Sequence, residues 1–350
     1  MPTADELKDK GVAEYLRGDY EMAAETFRQA IAGYQAAGIA DMVAEMIRAA
    51  LRLLDDRADR LDVKVMASAL RELRYASKVF APYRGRRKVT VFGSARTVPA
   101  AEEYQQAVAF GKAVVARGFM VITGGGEGIM GAAQRGAGRE NSFGLNIRLP
   151  FEQEPNEEIA GDAKLINFKY FFTRKLCFMK ESDALALFPG GFGTHDEGFE
   201  ALTLMQTGKS QPKPVVFIDR PRGTYWKTWW RFVEDQLLDR GLINREDLAL
   251  FKVTDDIAEA CDEVVNFYRN YHSSRYVKDL LVLRVKHPVT DSLLGTLNER
   301  FGDICLNGGR FQTASAVGDE EHPGLHRLAF PFNRAAFGRL RMLIDVINQH

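Results

Sequence analysis

The chain has 350 residues, which is long for a single hydrophobic core and predicts two or three domains. Its composition, 46% hydrophobic and 27% charged, is that of an ordinary globular protein. The 47 basic and 47 acidic residues cancel, so the chain has no net positive field that would favour nucleic acid as a partner.

The first residues, Met1 to Lys8, lack the apolar core of a secretory signal. No apolar run in the sequence approaches the length of a membrane span. We therefore expect a cytoplasmic protein with no membrane partner.

Thiol and metal chemistry is not expected. His322 and His326 are four positions apart, but Pro323 and Gly324 between them disfavour a helix that would present both rings to a metal. The three cysteines are far apart and form neither a disulfide framework nor a CxxC pair; they are Cys177, Cys261 and Cys305. We expect no metal and no cofactor, and three small buried cysteine side chains.

Residues 1–82 are predicted to form an all-α, TPR-like extension, since no proline lies between Pro2 and Pro82. A shift by the repeat period of about 34 residues finds no second copy, and a stable peptide-binding array needs at least about three repeats. We therefore expect a helical hairpin docked on the catalytic domain or on another subunit. The residues at the spacing of one tetratricopeptide repeat are Gly11, Tyr15, Gly18, Asp19, Tyr20, Ala23, Phe27 and Ala30.

Residues 83–272 are predicted to form an α/β domain. The basic run Tyr83–Lys88 is expected to be a solvated connection at its start. Apolar runs then alternate with helical patterns, which predicts a Rossmann-like, doubly wound parallel sheet. The predicted strands cover 89–92, 119–123, 142–149, 165–168, 183–188 and 214–218.

Three glycine-containing turns follow strands of this predicted sheet. Because the carboxyl ends of parallel strands share one edge, we expect the turns to converge on a single crevice. Glycines let the backbone approach an anion, a helix N-terminus supplies unpaired N–H groups, and the Thr194 hydroxyl is a further donor. The residues predicted to bind phosphate or ribose are Gly93, Ser94, Gly124, Gly125, Gly126, Gly190, Gly191, Gly193 and Thr194.

Glu197 follows Thr194 by three residues, and this spacing has two interpretations. It fits a capping box, in which the carboxylate accepts a hydrogen bond from the Thr194 N–H. It also fits a catalytic carboxylate beside a phosphate cradle. The local sequence leaves both open.

The run Gly126–Gly131 also fits the G-x-G-x-x-G pattern of dinucleotide-binding folds, with Glu152 about 20 residues further on. However, this run follows the second predicted strand rather than the first. A dinucleotide site also leaves the turn Pro189–Glu197 unexplained, whereas a mononucleotide crevice accounts for both turns.

Four of these features together resemble the LOG ("Lonely Guy") family, the cytokinin-activating nucleoside 5′-monophosphate phosphoribohydrolases. They are Gly93-Ser94, the run Gly124–Gly131, the pair Arg174-Lys175 and the run Pro189–Glu197. The resemblance covers about residues 85–270. It implies hydrolysis of the N-glycosidic bond of AMP or N6-modified AMP to the free base and ribose 5-phosphate, in a homo-oligomer built on dimers. Members are often labelled lysine decarboxylases, but nothing in this sequence indicates a pyridoxal phosphate site.

The resemblance implies that Arg174 and Glu197 are catalytic. A carboxylate can stabilise the oxocarbenium ion formed as the bond breaks, and a guanidinium can hold the departing base or the phosphate. Lys175 and Glu200 belong to the same motifs and are expected near the ribose and phosphate, although Glu200 equally fits a structural carboxylate. The alternative function is a non-catalytic nucleotide sensor or carrier on the same fold, signalling through the flanking segments.

Two aromatic features are expected to lie outside the chemistry. His195 occupies a variable position of the motif and is predicted to face solvent. The cluster Tyr225, Trp226, Trp229 and Trp230 has helical spacing and is predicted to be core or subunit interface.

Residues 273–350 lie beyond the resemblance and are predicted to form a small α+β module. The sequence leaves its role open between binding an effector, mediating assembly and capping the core, of which capping is preferred. Strands are predicted over 277–285, 303–306, 311–315 and 326–332, and helices over 290–301 and 334–347.

Overall fold

The computed structural model describes Pro2 and residues 4–33, 39–148, 154–315 and 322–350. The chain divides into two compact units, residues 1–70 and 71–350. The three-part division expected from the sequence stays a prediction.

In the described part of residues 4–80 the chain forms helices joined by short turns, as the sequence predicts. Small residues allow α1 and α2 to approach closely, because a Cβ added at Gly11 would lie 2.8 Å from the Phe27 ring. Tyr15 and Tyr20 meet edge to face beside this contact. The helices are α1 (Ala4–Leu16), α2 (Tyr20–Gly33), α3 (Ile39–Asp55) and α4 (Arg60–Phe80).

A parallel sheet of seven strands forms the centre of the larger unit in the described part of the chain. Its strands are β1 (Lys88–Phe92), β2 (Met120–Thr123), β3 (Ser142–Ile147), β4 (Leu165–Phe168), β5 (Ala184–Leu187), β6 (Val215–Ile218) and β7 (Lys252–Thr254). All six predicted strands are present. β7 was not predicted, because its three residues offer a single apolar side chain, Val253.

Helices cover both faces of the sheet, so the predicted doubly wound architecture is confirmed. Successive strand residues point to opposite faces: Val91 belongs to one buried cluster and Phe92 to the other. The first face is covered by α5 (Glu102–Ala116), α6 (Ile129–Ala137) and α10 (Ile257–Asn266). The second is covered by α7 (Phe171–Glu181), α8 (Phe192–Gln206) and α9 (Tyr225–Phe232).

The strand order is β4-β3-β2-β1-β5-β6-β7. The chain therefore winds outward in one direction from β1 to β4, and in the other direction from β5 to β7. The order reverses between β1 and β5, which pair along their whole length. In open α/β sheets ligands bind at such a switch point, outside the carboxyl ends of the strands.

The C-terminal residues form an antiparallel sheet with the order β10-β11-β9-β8. Its strands and two helices are β8 (Tyr271–Val277), β9 (Leu280–Val285), α11 (Asp291–Phe301), β10 (Gln312–Thr313), β11 (His326–Phe330) and α12 (Phe337–Gln349). This sheet and β1 contribute to one continuous apolar cluster that includes Val89, Leu283 and Leu343.

Of the predicted C-terminal strands, 277–285 is confirmed for residues 280–285, which form β9, and 303–306 is wrong. The predicted single strand over 277–285 is the second half of a hairpin, because Lys278 adopts φ 54° and reverses the chain between β8 and β9. β8 was not predicted, because the residues at its centre are polar. The predicted strand over 303–306 is a 3₁₀ turn at Gly302–Ile304, after which Cys305 makes one isolated bridge to Phe332.

The basic run Tyr83–Lys88 is not simply a solvated connection. Lys88 begins β1 and is 4% exposed, and its Nζ donates to the carbonyl oxygens of Tyr83 and Arg86 at 2.8 Å each. The Arg87 guanidinium lies 3.5 Å from the centre of the Tyr268 ring and pairs with Asp183 at 2.8 Å. The side chains at the end of this run are therefore part of the packed structure.

In the described ranges no helix combines the length and the apolar character needed to cross a bilayer. Within the same residues, no group of three or more His, Cys, Asp or Glu side chains is placed to hold a metal ion. All three cysteines are buried and free, as the sequence predicts.

Candidate active site

A cavity of about 800 Å³ opens at the switch point between β1 and β5. It lies at the carboxyl ends of β1, β2, β3 and β5 and is closed on one side by α7. Its volume is within the usual range for small-molecule sites. Predicted site residues that line it are Gly93, Ser94, Gly124, Gly126, Arg174, Gly190, Gly191, Gly193, Thr194 and Glu197.

Three predicted site residues do not line this cavity. Gly125 does not reach the cavity, and its N–H donates a hydrogen bond to the Thr123 hydroxyl oxygen at 2.9 Å. Lys175 and Glu200 lie behind Glu197 and bond to each other at 2.6 Å. The structure thus brings the glycine turns, Arg174 and Glu197 together and places Lys175 and Glu200 in a supporting position.

The turn after β5 leads into the N-terminus of α8, which begins at Phe192 with Gly191 in the cap position. The first N–H groups of a helix have no partner within it, and the helix dipole places partial positive charge there. The Thr194 side chain is buried in this first turn, against Gly190. This combination of a glycine turn, free N–H groups and a hydroxyl is suited to an anion such as phosphate.

Gly190 is required by close packing. A Cβ at this position would lie 2.1 Å from the Thr194 Oγ1 and 3.0 Å from the Ser94 backbone nitrogen. Ser94 in turn donates its N–H to the Pro189 carbonyl at 3.1 Å. The turns after β1 and β5 therefore touch through this glycine.

We expect Gly190→Ala to weaken binding of phosphate-bearing ligands by about tenfold or more, because the added methyl group displaces Thr194 and the Ser94 turn. Titration calorimetry with AMP measures the effect. Gly295→Ala is the control: the position lies in α11 with no atom within 4 Å of the added Cβ, and affinity should not change. Equal affinity of the Gly190 variant and the wild type would contradict the assignment of this turn.

The turn after β2 also requires glycine. Gly128 has φ 67° and ψ −131°, and a Cβ there would lie 2.3 Å from the Ser94 carbonyl oxygen. The side-chain amide of Asn156, which is 2% exposed, donates to the carbonyls of Gly125 at 3.0 Å and Gly126 at 2.8 Å. The loop is thus fixed before any ligand binds. Glu152, the acidic residue of the dinucleotide interpretation, lies outside the described residues.

Arg174 projects from α7 toward the cavity. Its guanidinium carbon lies 5.2 Å from the Phe171 ring centre and 5.4 Å from that of Phe178. Its Nε is buried and has no hydrogen-bond partner among the described residues. Burial lowers the pKa of Arg174, and the Glu197 carboxylate acts in the opposite direction. A half-buried guanidinium with an unused Nε–H donor is suited to binding an electron-rich group of a ligand.

Glu197 is 5% exposed and belongs to a cluster of charges around Lys175. The Lys175 ammonium lies 2.6 Å from Glu200, 2.9 Å from Asp196 and 3.8 Å from Glu197. Burial opposes its charge, but the hydrogen bonds to Glu200 and Asp196 raise the pKa of Lys175. Lys175 therefore stays charged and ties α7 to α8 beside the carboxylate.

The capping-box interpretation of Glu197 is wrong. α8 begins two residues before Thr194, whose own N–H donates to the Gly191 carbonyl at 3.1 Å, and no side chain caps the helix. Burial raises the pKa of Glu197 to about 7, against the effects of Lys175 and Arg174. The carboxyl group therefore changes charge near neutral pH, as acid–base groups in active sites often do.

We expect Glu197→Gln to stabilise the fold above pH 7 by about 1–3 kcal/mol. The folded-state pKa of about 7 lies above the ordinary value of 4.5, so the native protein binds this proton more tightly than the unfolded chain. Stability of the wild type consequently falls as pH rises between these two values. Thermal unfolding at pH 8 should show a melting temperature several degrees higher for the variant, with little difference at pH 4. An unchanged or lower value at pH 8 would contradict this.

His195 does not simply face solvent. It is half-buried, lines the cavity, and its Nε2 lies 2.7 Å from the Tyr225 hydroxyl, which donates to the Gly190 carbonyl. This pair was missed because its members are 30 residues apart. Trp226 and Trp229 are buried against Phe217, so the core interpretation of the aromatic cluster is confirmed for them.

Known proteins are similar to this chain in sequence. A family model described as "Possible lysine decarboxylase" matches residues 130–264. The chain is 30% identical over 164 residues to the cytokinin riboside 5′-monophosphate phosphoribohydrolase of Mycobacterium tuberculosis, covering 46% of this chain and 84% of that protein. It is 28% identical over 167 residues to a probable enzyme of the same name from Oryza sativa subsp. japonica, covering 46% and 66%.

Among solved structures, the molybdenum cofactor carrier protein of Chlamydomonas reinhardtii aligns with a TM-score of 0.36 and 23% identity, over 51% of this chain and 96% of its own. A likeness of this size carries no functional argument. The sequence relatives support a family assignment. The mycobacterial protein is matched over most of its length, and the motifs of the resemblance meet in one cavity. The chain belongs to the LOG family of cytokinin riboside 5′-monophosphate phosphoribohydrolases.

Proposed function

We propose that this protein hydrolyses the N-glycosidic bond of a nucleoside 5′-monophosphate, AMP or N6-modified AMP, to give the free base and ribose 5-phosphate. The observation that carries the proposal is that a buried carboxylate, Glu197, and a half-buried arginine, Arg174, share one cavity with a helix N-terminus suited to phosphate.

The 5′-phosphate is proposed to bind at the N-terminus of α8. The N–H groups of the turn and the Thr194 hydroxyl supply hydrogen bonds, and the glycines let the phosphate reach the backbone. Ser94 and the glycines after β1 and β2 form the opposite wall and bound the ribose. Anchoring the phosphate here fixes the distance between the ribose C1′ atom and Glu197.

Glu197 is proposed to act at the ribose. As the C1′–N9 bond breaks, its electron pair leaves with the base and positive charge develops on the ribose ring. A carboxylate near the ring stabilises this charge, and it also accepts a proton from the water that attacks C1′. Its pKa of about 7 allows it to do both near neutral pH. The departing base takes up a proton, so AMP and water give adenine and ribose 5-phosphate.

Arg174 is proposed to bind the departing base. Its buried Nε has an unused donor, and a guanidinium stays charged through the reaction. Lys175 and Glu200 are proposed to orient Glu197 through the ion cluster that links α7 to α8. Glu200 then acts as a structural carboxylate rather than a ribose contact.

We further infer a cytoplasmic homo-oligomer, as the family resemblance implies. Large apolar side chains around the cavity support an interface between subunits, since Phe192 is 97% exposed and Phe171 52% exposed. Residues 1–82 are proposed as a TPR-like extension of the LOG domain at 83–272, and 273–350 as an α+β module. Neither nucleic acid nor membrane is proposed as a partner.

The test is to incubate the purified protein with a panel of nucleoside 5′-monophosphates and to measure free base by chromatography. We expect release from at least one adenine nucleotide and none from the matching nucleoside, because the nucleoside lacks the phosphate. Binding of these nucleotides without release of base from any of them would favour the sensor or carrier alternative and overturn the proposed hydrolase.

A further inference from the structure

A second cavity, of about 560 Å³, lies at the opposite edge of the parallel sheet. It is formed by the residues that lead into β1, β5 and β6, together with the start of β8. The catalytic cavity lies at the carboxyl ends of the strands, so the two are separate. The charged residues that line this basic cavity are Arg84, Arg86, Arg87, Lys180, Lys213 and Asp183.

Positive charge exceeds negative charge in the basic cavity. Arg87 pairs with Asp183 at 2.8 Å, and Lys180 pairs with the neighbouring Glu181. The other cations have no carboxylate partner among the described residues: Arg86 donates to the Asn141 side chain at 2.9 Å, and no ion pair involves Arg84. A concave surface with uncompensated cations attracts anions.

Lys213 lies in the floor of the basic cavity and is 7% exposed. Its ammonium donates to the carbonyl oxygens of Met179 at 2.7 Å and Ser182 at 2.6 Å. An ammonium has three donors, so one remains for a ligand. Burial lowers the pKa of Lys213 to about 8, which a bound anion would reverse.

Two further polar side chains, Tyr271 and His272, line the basic cavity. The Tyr271 hydroxyl is buried with no hydrogen-bond partner among the described residues, and burial raises the pKa of Tyr271 to about 12, although the Ser274 side chain acts in the opposite direction. Burial, followed by the charges of Arg87 and His322, lowers the pKa of His272 to about 4. The imidazole is therefore neutral near pH 7, mainly because of burial.

We propose that the basic cavity is a second ligand site, which binds a small molecule carrying a multiply charged phosphate group. Phosphate fits better than a single carboxylate, because several cations surround one space and guanidinium groups bind phosphate through paired hydrogen bonds. The C-terminal end of α7, the helix that carries Arg174, lies at this cavity through its Met179 carbonyl. The Lys213 ammonium would therefore link a bound anion to the far end of the helix that carries the proposed catalytic arginine.

Titration calorimetry with inorganic pyrophosphate tests the site on the full chain. The charge-reversal variant Arg84→Glu/Arg86→Glu changes two exposed side chains and is expected to fold. It should bind pyrophosphate in the basic cavity at least about tenfold more weakly. The matched control is Arg240→Glu, an exposed arginine elsewhere on the surface, which should bind as the wild type does.

The catalytic cavity also attracts phosphate, so it is blocked separately with Gly191→Asp. Gly191 has φ −87° and no atom within 4 Å of an added Cβ, so the new carboxylate is accommodated and repels anions from α8. We expect this variant to retain pyrophosphate binding, and to lose it when Arg84→Glu/Arg86→Glu is added. Loss of binding in Gly191→Asp alone, or unchanged binding after charge reversal, would overturn the second site.

Discussion

Glu197→Gln is expected to lower kcat for release of adenine from AMP by about 10³-fold or more, while the affinity for AMP changes by less than about tenfold. Glutamine keeps the shape of the side chain but can neither carry the negative charge that stabilises an oxocarbenium ion nor accept a proton from water. The phosphate site at the N-terminus of α8 is untouched. Single-turnover assays with excess enzyme measure the chemical step, and calorimetry measures the affinity.

Asp196→Asn is the matched control for this variant. Asp196 is the neighbouring carboxylate and bonds to the same Lys175 ammonium at 2.9 Å, but its side chain is 59% exposed and does not line the cavity. Its replacement removes one negative charge from the same cluster and should alter kcat by less than about fivefold. If both variants lost activity equally, the loss would reflect the charge cluster rather than the chemistry of Glu197.

The pH profile gives an independent readout of the same carboxylate. Because Glu197 acts in its charged form, kcat/KM of the wild type should rise with pH and level off above about 7, the pKa that burial gives this group. The residual activity of Glu197→Gln should lack this rise. A wild-type profile that is flat from pH 5 to 9 would contradict the assigned role.

The sequence predicted the parallel sheet and the turns of the site because both depend on local patterns. Strands buried on both faces appear as short apolar runs such as 184–187, and each predicted cradle turn follows such a run directly. The position at which α8 begins relative to Glu197 was harder to predict from the sequence. A threonine followed three residues later by glutamate fits a cap, but the helix begins at Phe192, and the Thr194 N–H donates to the Gly191 carbonyl.

Features that join distant parts of the chain were not predicted. The contact between His195 and Tyr225 and the pairing of Arg87 with Asp183 each depend on how strands are ordered in the sheet. The polar residues at the centre of β8 gave no apolar alternation, and two polar residues of this strand, His272 and Ser273, line the basic cavity. Sequence patterns locate buried elements well and polar long-range contacts poorly.

Arg174→Gln is expected to lower kcat for adenine release by about 10²–10³-fold, with a change of less than about threefold in the affinity for ribose 5-phosphate. The arginine lies on α7, across the cavity from the phosphate site on α8, and its Nε has no partner in the described residues. Its hydrogen-bonding capacity is therefore available for the departing base, which gains electron density only as the bond breaks.

Arg174→Lys separates charge from geometry at the same position. Lysine retains a positive charge but lacks the planar guanidinium that lies between the Phe171 and Phe178 rings, so it should restore activity by no more than about tenfold over glutamine. Arg240→Gln, on the exposed surface, should match the wild type. If the arginine instead binds the phosphate, the affinity for ribose 5-phosphate would fall together with kcat in both Arg174 variants. Comparing the two readouts therefore decides which end of the nucleotide this guanidinium contacts.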